Sequence, residues 1–171
     1  LLKLFRKYFN PTKGMILIDG HNLKDVKRED YYKIIGNIEQ QVFIFEDTVR
    51  NNLTLYKDYS EEEIEAVIEA AGLTDFVKQL PNGLDTVIYD NGRNISGGER
   101  CRIVIARALL NKAKILLMDE AFASFDMERA REIEKTILNL KDITVINVSH
   151  VIFKDTGKMY DKVFTVKKTI Y

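Results

Sequence analysis

The feature of this sequence that most restricts its fold is an uninterrupted apolar run that ends in two carboxylates. The run is KILLMDE, residues 114–120, and its last two residues are Asp119 and Glu120. A strand without polar alternation is typical of a parallel sheet that is covered on both faces. A second run, ITVINVSH, has the same character and ends at His150. The two runs therefore predict two buried strands of a parallel sheet.

The residues between these runs have the spacing of an amphipathic helix. Apolar side chains recur there at helical intervals, at Ala130, Ile133, Ile137 and Leu140. Asp126 stands just before them, and aspartate is a preferred capping residue at a helix start. A strand, a helix and a second strand in this order indicate an α/β sheet domain. Ligands of open α/β sheets bind beyond the carboxyl ends of the strands, which is where both runs end in polar residues.

Helical patterns dominate the middle of the chain. Residues 60–72 and 74–80 each predict a helix, and the first of them has a capping-box pattern at its start and a glycine after its last turn. We therefore expect an α/β core that is interrupted by a helical insertion. The predicted core comprises residues 1–46 and 112–171, and the predicted helical subdomain comprises residues 47–111.

Three further segments near the ends of the chain have recognisable patterns. LLKLFRKYF predicts an amphipathic helix that ends at Asn10-Pro11. GMILIDG, residues 14–20, predicts a short strand between turn glycines. DKVFTVKKTIY, residues 161–171, predicts one or two edge strands.

The heptapeptide NISGGER opens another predicted helix, which runs to about Asn111. Ser96 followed three residues later by Glu99 is the capping-box pattern. Gly97 and Gly98 expose backbone N–H groups at the helix start, where the helix dipole favours an anion. On these residues alone two interpretations stay open: an ordinary helix start after a loop, and an anion site that is built from backbone amides.

The polar residues that end the two apolar runs permit phosphate chemistry. Asp119 can hold Mg²⁺, and Glu120 can orient or deprotonate a water that attacks a phosphate. His150, at the end of the neighbouring predicted strand, can contact the same phosphate. Each residue by itself is more often a solvated strand end or a surface histidine. Their shared position at one edge of the sheet favours the functional interpretation.

Composition excludes several classes of protein. The chain has 26 basic and 26 acidic residues, and this zero net charge argues against a module that binds nucleic acid through bulk charge, although a local basic face stays open. No apolar run approaches the roughly 18 to 20 residues of a membrane-spanning helix. The single cysteine, Cys101, forms no internal disulfide, so we expect a reducing compartment and a packing or surface role for its thiol rather than a catalytic one.

The motifs together resemble those of the nucleotide-binding domain of ABC transporters. ISGGE, residues 95–99, is similar to the signature motif, although glutamine is more usual at its last position. ILLMDE resembles the Walker B strand followed by the catalytic glutamate. ASFD, residues 123–126, is similar to the D-loop. His150 stands at the switch histidine and Gln40 at the Q-loop glutamine, so the resemblance covers nearly the whole chain.

The resemblance implies a role for each matched residue. Glu120 and His150 would be catalytic, and Asp119 and Gln40 would hold Mg²⁺. Contacts to ATP are implied for Gln40, Ser96, Gly97, Gly98, Glu99 and Asp126. ATP and Mg²⁺ are therefore the cofactors that we expect.

The resemblance also implies a fold and a set of partners. The fold would be that of a P-loop NTPase, a RecA-like α/β core with a helical subdomain. Two such domains dimerise head to tail around two ATP molecules, so that the signature of one faces the phosphates held by the other. Exporter-like stretches, residues 43–53 and 83–92, favour a domain that couples ATP hydrolysis to export. Its other partner would be a transmembrane domain, fused or separate, at the cytoplasmic face of the cell membrane, and no nucleic acid is expected.

One family motif is missing from these residues. The P-loop pattern G-x-x-x-x-G-K-[ST], which cradles the β- and γ-phosphates, does not occur in the 171 residues. We therefore expect an N-terminally truncated domain that is inactive alone. Two other functions stay open: a soluble ABC-type ATPase of DNA repair or chromosome maintenance, and a non-catalytic interaction module. The first usually has a long coiled coil, and no heptad tract occurs here.

Overall fold

The computed structural model describes residues 1–39, 42–122 and 125–166. Its α-helices are α1 (Leu2–Phe5), α2 (Arg28–Ile34), α3 (Val49–Thr54), α4 (Glu61–Ala70), α5 (Thr74–Gln79), α6 (Gly97–Leu110) and α7 (Met127–Leu138). Its strands are β1 (Leu17–Ile18), β2 (His21–Asn22), β3 (Ile35–Glu39), β4 (Ile115–Asp119) and β5 (Thr144–Val148). Three short 3₁₀ helices cover Gly83–Asp85, Asp90–Gly92 and Thr156–Lys158.

A parallel sheet with the strand order β3-β4-β5 forms the centre of the molecule. Glu39 pairs in register with Asp119, and Asp119 pairs with Val148. The carboxyl ends of all three strands therefore lie at one edge of the sheet. The predicted α/β architecture, with both apolar runs as parallel strands, is confirmed.

The central strand β4 is covered on both faces, which explains why its sequence lacks polar alternation. Leu116 and Met118 point into the larger core cluster, which contains side chains of α6 and α7. Ile115 and Leu117 point to the opposite face, into a smaller cluster with residues of the N-terminal segment and α2. Successive side chains of a strand point to opposite faces, so a strand covered on both sides needs apolar residues at every position.

The helices predicted over residues 60–72 and 74–80 are present as α4 and α5, and α3 was not predicted. Helix α4 begins after Ser60, whose hydroxyl accepts a hydrogen bond from the Glu63 N–H at 3.2 Å in a complete capping box. The buried Asn52 of α3 accepts from the Phe45 N–H at 2.8 Å and donates to the Phe45 carbonyl at 3.0 Å. These bonds attach α3 to the chain that follows β3. The division into a core and a helical subdomain remains a prediction.

Two predicted elements are shorter in the structure. The strand predicted over residues 14–20 is a hairpin of β1 and β2, because Asp19 and Gly20 adopt positive φ angles and reverse the chain. The N-terminal helix ends at Phe5, and Lys7 has a φ of 54° that cannot continue a right-handed helix.

The C-terminal prediction of edge strands is wrong for residues 161–166. These residues pair with none of the described strands, and Phe164 is 80% exposed. Alternating apolar residues form a strand only where a neighbouring strand accepts their backbone hydrogen bonds. The remaining residues of that prediction, 167–171, lie outside the described part of the chain. Within the described part, no helix has both the length and the apolar character to cross a bilayer.

Candidate active site

Glu120 and His150 lie together at the carboxyl ends of β4 and β5. The Glu120 N–H donates to the Val148 carbonyl at 2.9 Å, which extends the strand pairing by one residue. The two side chains then meet, with His150 Nε2 2.9 Å from Glu120 Oε1. His150 is 85% exposed along its side chain, so the pair faces solvent. The structure thus brings together the two residues that the resemblance implies to be catalytic.

Backbone strain marks the position of Glu120. Its φ angle is 47°, in the left-handed region that residues other than glycine seldom adopt. Such a conformation costs on the order of 1–3 kcal/mol and persists only where the surroundings enforce it. Here the hydrogen bond to β5 holds the backbone, and the turn directs the carboxylate toward His150.

Asp119 ends β4, directly before Glu120, and is bound by a buried arginine. Arg6 Nη1 lies 3.4 Å from Asp119 Oδ2 and 3.2 Å from Glu39 Oε1. Arg6 Nε donates to Asn37 Oδ1 at 3.1 Å. One cationic side chain therefore joins the ends of β3 and β4, and we did not predict it from the sequence. The sequence signal for it is spacing: Arg6 stands at the i, i+4 position from the apolar Leu2, and such pairs share one face of a helix. Both residues are buried in the structure.

The chemistry of the strand ends fits Mg²⁺. This ion is usually held by one or two carboxylates together with the phosphates of a substrate, and Asp119 supplies a suitable oxygen. The described residues contain no group of three or more His, Cys, Asp or Glu side chains that could hold a metal by themselves. Gln40, the other predicted ligand, lies outside the described residues.

The start of α6 has the predicted capping box. Ser96 Oγ accepts from the Glu99 N–H at 3.2 Å, and Glu99 Oε2 accepts from the Ser96 N–H at 2.6 Å. Arg100 donates to the carbonyls of Gly92 and Ile95, at 2.8 and 3.0 Å, and so holds the loop that precedes the helix. The capping-box interpretation is confirmed. The anion site at the same helix start remains a prediction.

Asp126 caps α7, as predicted. Its Oδ1 accepts a hydrogen bond from the Arg129 N–H at 3.0 Å. The predicted contact of Asp126 with ATP remains a prediction. Ala123 and Ser124, the first two residues of the D-loop-like segment, lie outside the described residues.

The side chain of Phe125 lies between the signature-like segment and the Glu120–His150 pair. Its ring reaches Gly97 so closely that a Cβ there would lie 2.6 Å from Phe125 Cε1. Phe125 also lines a cavity of about 130 Å³ together with Glu120 and His150. The Phe125 ring therefore contacts one group of predicted site residues and lines the same cavity as the other.

Of the packing and surface roles expected for Cys101, the structure shows the packing role. Cys101 lies on α6 with its side chain fully buried in the larger core cluster. Burial raises the pKa of the Cys101 thiol to about 12. A thiol with so little thiolate at neutral pH is a poor nucleophile, which excludes Cys101 from the chemistry of the site.

Comparison with known proteins identifies similar chains. The family model described as ABC transporter matches residues 1–123. The ATP-dependent lipid A-core flippase of Syntrophus aciditrophicus (strain SB) is 43% identical over 152 residues, which cover 88% of the chain and 25% of the flippase. The flippase of the same name from Desulfotalea psychrophila (strain LSv54 / DSM 12343) is 39% identical over 170 residues, which cover 98% of the chain and 29% of that protein.

A solved structure has the same fold. It is that of a bacterial Atm1-family ABC exporter with ATP bound, which matches with a TM-score of 0.74 and 32% sequence identity. The match covers 87% of the chain and 27% of the exporter. The chain thus spans between 25% and 29% of the length of these three relatives.

Proposed function

The chain belongs to the ABC transporter family, and from this premise we propose that it is the ATP-hydrolysing domain of an ABC exporter. One observation carries the proposal: Glu120 and His150 meet at 2.9 Å where two adjacent parallel strands end. The named relatives are flippases and an exporter, which favours export over a role in DNA repair or as an interaction module.

The proposed chemistry uses the strand ends as a water-activating site. Glu120 accepts a proton from the water that attacks the γ-phosphate, or orients that water, and His150 fixes the direction of the Glu120 carboxylate. Mg²⁺, when bound with the nucleotide, would neutralise charge on the phosphates, with Asp119 as its protein ligand. Glu120 and His150 are exposed in the single chain, as expected for a site that is covered only when a nucleotide and a second domain bind.

The proposed partner in ATP binding is a second domain of the same kind. The capping box uses the N–H groups of Ser96 and Glu99. The N–H groups of Gly97 and Gly98 have no acceptor within a helix at that position, so they are available to an anion. Because the Glu99 carboxylate is turned back onto Ser96, its charge points toward the cap. The free N–H groups of Gly97 and Gly98 therefore support a phosphate of the partner's nucleotide at the start of α6, whereas the Glu99 carboxylate beside them weakens its binding.

The proposed contact with a transmembrane domain is an aromatic pair on the surface. Phe43 and Phe45 pack edge to face at 4.9 Å, and they are 60% and 36% exposed. Neither ring belongs to the buried core, so both are available to a partner. Arg107 of α6 donates to the Phe43 carbonyl at 3.2 Å and lies 5.7 Å from the centre of the Phe45 ring. Helix α6 therefore joins the predicted nucleotide contact at its start to this surface near its end.

Substitution of Glu120 tests the proposed function. In the protein as its gene encodes it, Glu120→Gln should retain ATP binding and lower the turnover number by roughly 10²- to 10⁴-fold, because a carboxamide cannot accept the proton. Glu128→Gln, an exposed position on α7, is the matched control and should hydrolyse ATP at the wild-type rate. Near wild-type hydrolysis by Glu120→Gln would refute the assigned role. Transport of an amphiphilic lipid, the first substrate class to test, should be lost together with hydrolysis.

A further inference from the structure

Glu134 of α7 is a buried carboxylate that the proposed chemistry does not use. Glu134 is only 2% exposed. Three neutral donors hold it: the Thr156 hydroxyl, the Tyr160 hydroxyl at 2.6 Å and the Asn147 amide at 3.4 Å. Asn147 Nδ2 also donates to the Tyr160 oxygen at 2.6 Å, which closes the network. A buried carboxylate is costly unless it is hydrogen-bonded, so each of these donors contributes to keeping it in place.

The donors of this network lie on both sides of His150 in the chain. Asn147 precedes His150 on β5, and Thr156 and Tyr160 follow it. Burial and the hydrogen bond to Glu134 raise the pKa of the Tyr160 phenol, so the hydroxyl stays protonated and continues to donate. The segment that carries His150 is therefore attached to α7 through Glu134 at both of its ends.

The His150 side chain itself has little to hold it. It is mostly exposed, and its described polar contact is the one with Glu120 at 2.9 Å. Because little packing restrains its rotamer, the ring reaches Glu120 only while the backbone beneath it stays within range of that contact. Helix α7 also binds the same segment through Arg131 and Lys135, whose nitrogens lie 2.6 and 3.0 Å from Asp155 Oδ2. That cluster is exposed to solvent, whereas Glu134 and Thr156 are buried and Asn147 and Tyr160 are half-buried, so the Glu134 network is the more rigid attachment.

We propose that Glu134 is a positioning residue that holds His150 against Glu120. Loss of its carboxylate leaves the hydroxyls of Thr156 and Tyr160 without this acceptor, whereas Asn147 keeps the Tyr160 oxygen. The segment after β5 then shifts to satisfy the two hydroxyls elsewhere. The shift moves His150 away from Glu120. Only the catalytic consequence rests on the proposed function, since the position of His150 can be measured without ATP.

The histidine signals of the chain give the first test. The sequence has two histidines, so the folded chain gives two Cε1–H signals in a ¹³C–¹H spectrum, one from each ring, and His21 on β2 serves as an internal reference. Glu134→Leu should shift the signal of His150 and leave that of His21 in place. Glu134→Gln retains an acceptor oxygen and should restore most of the wild-type position. Glu132→Leu, an exposed neighbour on α7, is the matched control and should change neither signal.

The kinetics of ATP hydrolysis give the second test, in the protein as its gene encodes it. Glu134→Leu should lower kcat by roughly tenfold to a hundredfold with little change in the KM for ATP, because misplacement of a catalytic group affects the chemical step. In a His150→Ala background the same substitution should cause no further loss of kcat, since both changes remove the same interaction, that of His150 with Glu120. If Glu134→Leu does not fold, Tyr160→Phe removes one donor and serves instead in both tests.

The outcomes separate this proposal from the proposed function. An unchanged His150 signal in a folded Glu134→Leu chain overturns the positioning role, whatever the ATPase activity. If the kcat losses of Glu134→Leu and His150→Ala multiply in the double variant, the positioning role is also overturned, because the two residues then act independently. Absence of ATP hydrolysis in the wild-type protein would instead refute the proposed function, and the histidine signals would still decide the position of His150.

Discussion

Gly36 of β3 and Ala108 of α6 lie so close that a Cβ added at Gly36 would be 2.7 Å from the Ala108 Cβ. The same added atom would lie 2.7 Å from Leu116 Cδ2 on β4. This contact sets the distance at which α6 packs on the sheet. The start of α6 is the signature-like segment and β4 ends at Asp119, so the contact also fixes the spacing of these two parts of the site.

We predict that Gly36→Ala destabilises the chain. Overpacking of a close contact costs about 1–3 kcal/mol, which exceeds the roughly 0.5–1 kcal/mol that alanine gains over glycine in chain entropy. The midpoint of urea unfolding should fall accordingly. Gly98→Ala is the control, because its Cβ would lie at an ordinary distance of 3.7 Å from Ile133 Cδ1. Equal midpoints for Gly36→Ala and the wild-type chain would contradict the prediction.

A double-mutant cycle should detect the contact between Gly97 and Phe125. Gly97→Ala places a Cβ 2.6 Å from the Phe125 ring, so we expect it to lower the free energy of unfolding. Phe125→Leu removes the clashing edge, and in that background the cost of Gly97→Ala should shrink, with a coupling of about 0.5–3 kcal/mol. The cycle with Phe122→Leu is the comparison, because the Phe122 and Phe125 ring centres are 6.4 Å apart. The same cost of Gly97→Ala in every background would show that the ring does not touch the helix start.

Cys101 should make the stability of the chain depend on alkaline pH. Burial raises the pKa of its thiol from 9.0 to about 12, so the folded state retains a proton that the unfolded state releases. This contribution to stability is complete below pH 9.0 and is lost as the pH rises toward about 12.

The measurement is the free energy of unfolding of the wild-type chain and Cys101→Ala at about pH 8 and about pH 10.5. The wild-type chain should lose more stability between these values, by up to about 1.4 kcal/mol per pH unit, whereas tyrosine and lysine titrations affect both chains alike. Parallel pH profiles would mean that the thiol does not titrate with this shift. Alkylation of Cys101 should likewise be slow until the chain unfolds.

Phe43 tests the proposed contact with a transmembrane domain. Because the ring is largely exposed, Phe43→Asp should fold and hydrolyse ATP, while transport by the protein as its gene encodes it should be lost. Phe9→Asp introduces the same change at another exposed phenylalanine and should leave transport intact. Paired measurements of ATP hydrolysis and transport decide the outcome. Transport that continues in Phe43→Asp would place the contact elsewhere.

The sequence by itself determined the elements that depend on local patterns. The apolar run of β4, the capping boxes at Ser60 and Ser96 and the cap at Asp126 were all predicted, and the structure contains them. Each of these signals lies within a few neighbouring residues, because helix caps and strand burial depend on spacing along the chain. The order of strands and helices could therefore be predicted from the sequence, and so could the sheet edge at which Glu120 lies.

Tertiary structure decided the contacts between distant residues. Arg6 reaches Asp119 across 113 positions of the chain, and no local pattern pairs these two residues. Glu134 likewise has the spacing of an ordinary helical residue, and only the packing of α7 against β5 buries it with Asn147 and Tyr160. A buried polar group takes whichever partners the packed chain brings within hydrogen-bond distance, so the attachment of His150 is a property of the assembled fold.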